Sequence, residues 1–96
     1  MNSTDELKTV IALAGNRRLL HLEDEIFANE SLTTLYLHTL CGFSITTYTG
    51  NHDNAALVLY YAMHFMHERW PQAEHILNDP RYYKYYKMYM AFLCYT

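Results

Sequence analysis

Breakers are scarce in this chain. Three glycines and two prolines among 96 residues leave most of the length free to run as regular structure. Charge is also scarce: 18% of residues are Asp, Glu, Lys or Arg, against about 25% in an ordinary soluble domain. Because 51% are hydrophobic, an intrinsically disordered chain is excluded. A basic excess is missing, since seven Lys and Arg face ten Asp and Glu for a formal net charge of -3; no stripe of cations exists to neutralise nucleic-acid phosphates. The two cysteines, Cys41 in LHTLCGF and Cys94 in AFLCYT, sit among apolar neighbours and are expected to be reduced core thiols, not a disulfide framework. No apolar run reaches the roughly 20 residues of a membrane span; the longest is Ala55 to Met66. The start, MNSTDELKTVIALAG, is acidic and briefly apolar, unlike a secretory signal. These absences lead to one domain in a reducing, cytosolic setting.

What is present is helical periodicity. Ser3 and Glu6 form a capping-box pair, Leu7, Val10, Ile11 and Ala14 make one apolar stripe, and Gly15 suits a left-handed closing residue, so the first helix is expected at about residues 4–14. A second amphipathic helix is expected from Asn16 through NRRLLHLEDEIFANE, with Leu19, Leu22, Ile26 and Phe27 apolar and Glu23, Asp24, Glu25 and Glu30 elsewhere on the wheel. Ser31 is the expected N-cap of a third, which carries Leu32, Leu35, Tyr36, Thr39, Leu40 and Phe43 on one face; its threonines and Gly42 leave a strand over Phe43 to Tyr48 as the competing reading. TGNHDN is a turn by composition, with Asn51 or Asp53 capping a helix from Asn54 to Arg69. Pro71 opens a short separate helix, and Asp79 with Pro80 opens the last, running to about Tyr95. The fold class expected is all-α, five or six helices joined by short turns.

Three stretches carry a family resemblance. TYTGNHDNAALVLYYA has the plan of a tetratricopeptide hairpin: Gly50 makes the turn, Ala55 and Ala62 keep the next helix thin, and Leu59 stands at a bulky position, although His52 replaces the usual Tyr. VIALAGNRRLLHLEDEIFANESL, Val10 to Leu32, resembles the opening of the larger, tetratricopeptide-like co-chaperone of bacterial type III secretion needle subunits, and DPRYYKYYKMYM, Asp79 to Met90, resembles that family's Asp-Pro-Arg helix. The segment between Gly50 and Asp79 is about one helix shorter than the family pattern, and the ten tyrosines have no counterpart in it. The resemblance implies tetratricopeptide-like helical hairpins in a short superhelix. It also implies a cytosolic chaperone that, with a second small helical co-chaperone, holds the C-terminal amphipathic helix of a needle subunit in an apolar groove and so prevents premature polymerisation.

The residues expected to bind the partner are Leu35, Tyr36, Leu40 and Phe43 on the third helix, Tyr61 and Phe65 on the fourth, and Tyr82, Tyr86 and Tyr89 on the last. Tyr and Met are enriched at interfaces, but each of these positions equally suits the domain's own core. Asp24, Glu25 and Glu30 form a solvated face or a surface that steers a basic partner. His64, His67 and Glu68 lie within one helical turn, with His75 further on; lacking a di-iron or zincin pattern, they are read as packing histidines, and no metal or cofactor is expected. No nucleophile elbow, phosphate loop or carboxylate pair points to an enzyme. The alternative function is another helical adaptor or inhibitor using the same apolar surface.

Overall fold

In the computed structural model, which describes residues 3–42 and 53–94, every regular element is helical. Helix α1 spans Ser3–Ala14. A 3-10 turn, Leu20–Leu22, runs into the short α2, Glu23–Phe27, and α3 follows at Glu30–Cys41. Helix α4, Asn54–Tyr61, continues as a π turn over Ala62–Met66. A second 3-10 turn, Pro71–Ala73, runs into α5, Glu74–Leu77, and a third, Pro80–Tyr82, into α6, Tyr83–Cys94. None of the described helices is long and apolar enough to cross a membrane. The Ser3 side chain of the capping box, the strand reading over Phe43 to Tyr48, the Gly50 turn, the Asn51 cap and the end at Tyr95 lie outside what is described.

Local chemistry sets most of these ends. Gly15 and Gly42 close α1 and α3 at φ 62 and 66°, a region open to glycine because it has no Cβ. Pro71 and Pro80 each begin a turn where the missing N–H costs nothing, and the Asp79 carboxylate accepts the Arg81 N–H at 2.9 Å. Three expectations are corrected. The cap of α3 is Asn29, whose Oδ1 accepts the Leu32 N–H at 3.1 Å, because Ser31 is already inside the helix. The second helix starts at Leu20 and not at Asn16, because the Leu19 N–H is given to the Tyr36 hydroxyl at 2.8 Å instead of to a helical carbonyl. The fourth helix stops at Met66 and not at Arg69: His67 turns left-handed at φ 59° and the Trp70 N–H goes to the Tyr89 hydroxyl at 2.6 Å.

Helix α4 is apolar all round, with Ala55, Ala56, Leu57, Val58, Leu59 and Tyr61 buried, and a helix of that kind belongs at the centre of a domain. It packs on α3, α5 and α6, while α1 and α2 pack on α3. The long helices therefore stack in the order α1, α3, α4, α6 along a body measuring 43 × 25 × 24 Å.

The chain also repeats itself. Each half is a long helix, a 3-10 turn entering a short helix, and a second long helix. Arg18, Glu23 and Tyr36 of the first half recur as Arg69, Glu74 and Tyr89 of the second, and Tyr36-Leu37-His38-Thr39-Leu40-Cys41 recurs as Tyr89-Met90-Ala91-Phe92-Leu93-Cys94.

Candidate functional site

Each half holds an Arg–Glu–Tyr clamp. In the first, the carboxylate of Glu23, 0% exposed, accepts Arg18 Nε at 2.9 Å and Nη2 at 2.8 Å, the Tyr36 hydroxyl at 2.6 Å and the Trp70 indole N–H at 3.0 Å. Burial pushes this carboxyl up, but the hydrogen bonds from Arg18, Tyr36 and Trp70 and the guanidinium charge outweigh it, so Glu23 lies below its ordinary value. Burial, with the hydrogen bond to Glu23, drives the Tyr36 phenol far up. Trp70, itself 0% exposed, lies under the Arg18 guanidinium at 5.0 Å and against Phe27 at 5.5 Å and Tyr61 at 5.1 Å. A second-half indole thus locks onto a first-half carboxylate.

The second clamp is looser. Arg69 donates to Glu74 at 2.9 and 2.8 Å, and Tyr89 donates to it at 3.0 Å, but the Arg69 side chain is 63% exposed. The Arg69 hydrogen bond holds Glu74 below its ordinary value, and burial pushes Tyr89 up to about 12. No buried side-chain nitrogen or oxygen among the described residues lacks a partner. The Glu23 carboxylate accepts four hydrogen bonds and that of Glu74 three, which suits both clamps to positioning helices.

Outside the clamps, several apolar side chains reach the surface. Of the residues in α6 only Tyr89 is buried, although just Lys84 and Lys87 among them are charged. Tyr83 and Met88 are exposed, as are Phe65 on the π turn and Val10, Leu13 and Leu20 at the opposite end. The Lys84 ammonium sits over Tyr85 at 5.2 Å and Lys87 over Tyr83 at 5.6 Å, so the lysine stems cover part of the aromatic face. The π turn, an insertion of a kind common at functional positions, stacks Phe65 on Tyr61 at 5.1 Å and sets His64 4.4 Å from Tyr60.

The residues expected to bind a partner divide accordingly. Tyr36, Leu40, Tyr61 and Tyr89 belong to the domain's own core. The side of α3 that carries Tyr36 is covered within the domain by Glu23 and Phe27 of α2. Leu35, Tyr82 and Tyr86 are half-buried at the core's edge, Phe65 is exposed, and Phe43 lies outside the described residues. Sequence reasoning passed over Arg18, Glu23, Trp70 and Glu74; their signal was the recurrence of Arg and Glu five residues apart in both halves.

A cleft of about 470 Å³ opens where the starts of α3 and α4 meet the α5–α6 turn, lined among others by Phe27, Thr34, Asn54, His75, Arg81 and Tyr82. His75 Nε2 is 3.2 Å from the Phe27 carbonyl and Thr34 donates to Asn54 at 3.0 Å, so its polar groups hold the walls together. Among the described residues no three His, Cys, Asp or Glu side chains converge as metal ligands. Set against family models, curated proteins and solved structures, the chain finds no match.

Proposed function

We propose that this chain is a helical protein-binding module acting as a bacterial cytoplasmic chaperone for a type III secretion needle subunit, together with a second small helical co-chaperone. The structural observation that carries the binding role is α6, a helix of tyrosine, methionine, phenylalanine and leucine that buries one residue fully. Apolar surface of this kind gains by leaving water, and aromatic and methionine side chains are the types that recognition surfaces favour. The identity of the client rests on the resemblance of Val10 to Leu32 and of Asp79 to Met90 to the needle co-chaperone family. Tetratricopeptide-like stacking belongs to the same reading.

The residues assigned to the client in this proposal are Phe65, Tyr82, Tyr86 and the edge residue Leu35, with Tyr36, Leu40, Tyr61 and Tyr89 in the core behind them. A client's amphipathic helix covers its own polymerising face by packing on them. Binding is then dominated by apolar burial and needs no bond-making chemistry.

Coexpression with a needle subunit and the small co-chaperone is the test. One stable complex surviving size-exclusion chromatography is expected. Recovery of the chain without either partner, while it remains folded by circular dichroism, rejects the chaperone assignment.

A further inference from the structure

The internal repeat makes one junction a template for another. The halves meet where α3 packs on α4: Thr34 donates to Asn54 at 3.0 Å, and the Cys41 thiol stands 3.7 Å from the Leu57 carbonyl. Along α3 the row facing α4 is Thr34, His38 and Cys41, covered to half-buried or buried. The Tyr-to-Cys run places the equivalent row of α6 at Lys87, Ala91 and Cys94, and all three are exposed. The Arg18–Arg69 register likewise carries Leu57 and Tyr61 of α4, both buried, onto Glu6 and Val10 of α1, both exposed. The chain thus carries two bare half-junctions at the two ends of its helix stack.

We propose that a second copy of this chain completes the stack, its α1 packing on α6 as α4 packs on α3. Charge selects the same occupant. Helix α6 carries two cations, Lys84 and Lys87, and no acid, whereas α1 has Asp5 and Glu6 in its first turn. Thr34 and Asn54 meet near the starts of their helices, so the template sets Lys87 against the first turn of α1, where the two acids lie. The contact joins two different surfaces, so it does not close on itself and continues into short end-to-end stacks. This self-association stands apart from the chaperone role and does not require it.

Sedimentation velocity of the full chain, from micromolar to millimolar concentration, tests it. Mass above the monomer that grows with concentration and falls with added salt is expected. Lys87→Glu and Glu6→Lys should each weaken association about tenfold, as reversing a facing charge does, and the double reversal Glu6→Lys with Lys87→Glu in one chain should restore it. Both sites are exposed, and unchanged circular dichroism of each variant separates lost association from lost folding. Because Cys41 stands against Leu57, Glu6→Cys should oxidise with Cys94 of a neighbour into a ladder of dimers and trimers that Cys94→Ala removes. A wild-type chain monomeric throughout, variants that associate like the wild type, a double reversal without recovery, or a monomer that binds anionic vesicles through α6 would each overturn the proposal.

Discussion

The phenol of Tyr36 donates to the fully buried carboxylate of Glu23 across 2.6 Å, and the same hydroxyl accepts the backbone N–H of Leu19. One oxygen therefore fixes both a side chain and a chain reversal. Tyr36→Phe leaves the Leu19 N–H and one Glu23 lone pair unsatisfied, and a buried group abandoned in this way costs about 1–3 kcal/mol. Tyr89→Phe removes the equivalent pair of bonds beside Glu74, which keeps some solvent contact. Urea unfolding should rank Tyr36→Phe as the more damaging of the two; equal losses would mean that the first clamp is no tighter than the second.

Removing the carboxylate charge sharpens the contrast. Glu23→Gln leaves the Arg18 guanidinium, only 20% exposed in its side chain, without its counter-charge, and breaking a buried pair from one side costs about 3–5 kcal/mol. Glu74→Gln faces a largely exposed Arg69, where such pairs are worth about 0–1 kcal/mol. A midpoint shift several times larger for Glu23→Gln than for Glu74→Gln is the expected outcome of the same denaturation experiment.

Stability should fall on the acid side. Glu23 and Glu74 both titrate below their ordinary value of 4.5 in the folded chain. A carboxyl depressed by folding contributes stability that is complete above its unfolded value and disappears as pH drops through the folded one. Unfolding free energy should accordingly be flat from neutral pH down to the ordinary carboxylate range and then decline, and Glu23→Gln should flatten that decline. An acid limb unaltered in the variant would assign the loss to other carboxyls.

These clamps show what the sequence made legible and what it hid. The extent of α1, the starts at Pro71 and Pro80 and the cap at Asp79 follow from chemistry within a few residues, and they were readable. Glu23 was not, because on a helical wheel it is one acid among several; its burial depends on Arg18, Tyr36 and Trp70 arriving from three other places. The stripe of Tyr36 and Leu40 was visible as a face to be covered, yet periodicity cannot say whether a helix of the same chain or another protein does the covering. The recurrence of Tyr–x–x–x–Leu–Cys in the two halves was in plain sight. It gained meaning only when Leu19 and Trp70 were found giving their N–H groups to the two tyrosines.

Trp70 measures how strongly the halves depend on each other. It buries its ring against Phe27 and Tyr61 and donates its indole N–H to Glu23. Trp70→Ala should cost about 3–5 kcal/mol from lost burial and the cavity left behind. Trp70→Phe keeps much of the ring contact and loses the hydrogen bond, so its cost should be smaller. If hydrogen exchange showed the second half unfolding alone in Trp70→Ala while the first stayed protected, the indole would be the tie between halves; loss of protection in both together would place the tie in the α3–α4 packing instead.

The partner surface can be separated from the core by pairing two substitutions of the same kind. Phe65 is 55% exposed and Leu40 is 2% exposed, although both were expected to touch the partner. Phe65→Asp places a charge in water and should leave helicity and the unfolding midpoint nearly unchanged, since surface substitutions move stability by about 0.5 kcal/mol or less. Leu40→Asp buries that charge in the core and should unfold the domain. If the proposed surface is right, Phe65→Asp abolishes co-purification with the client while the chain stays folded. Retained binding in a folded Phe65→Asp chain would remove the π turn from the interface and leave α6 as the surface to probe next.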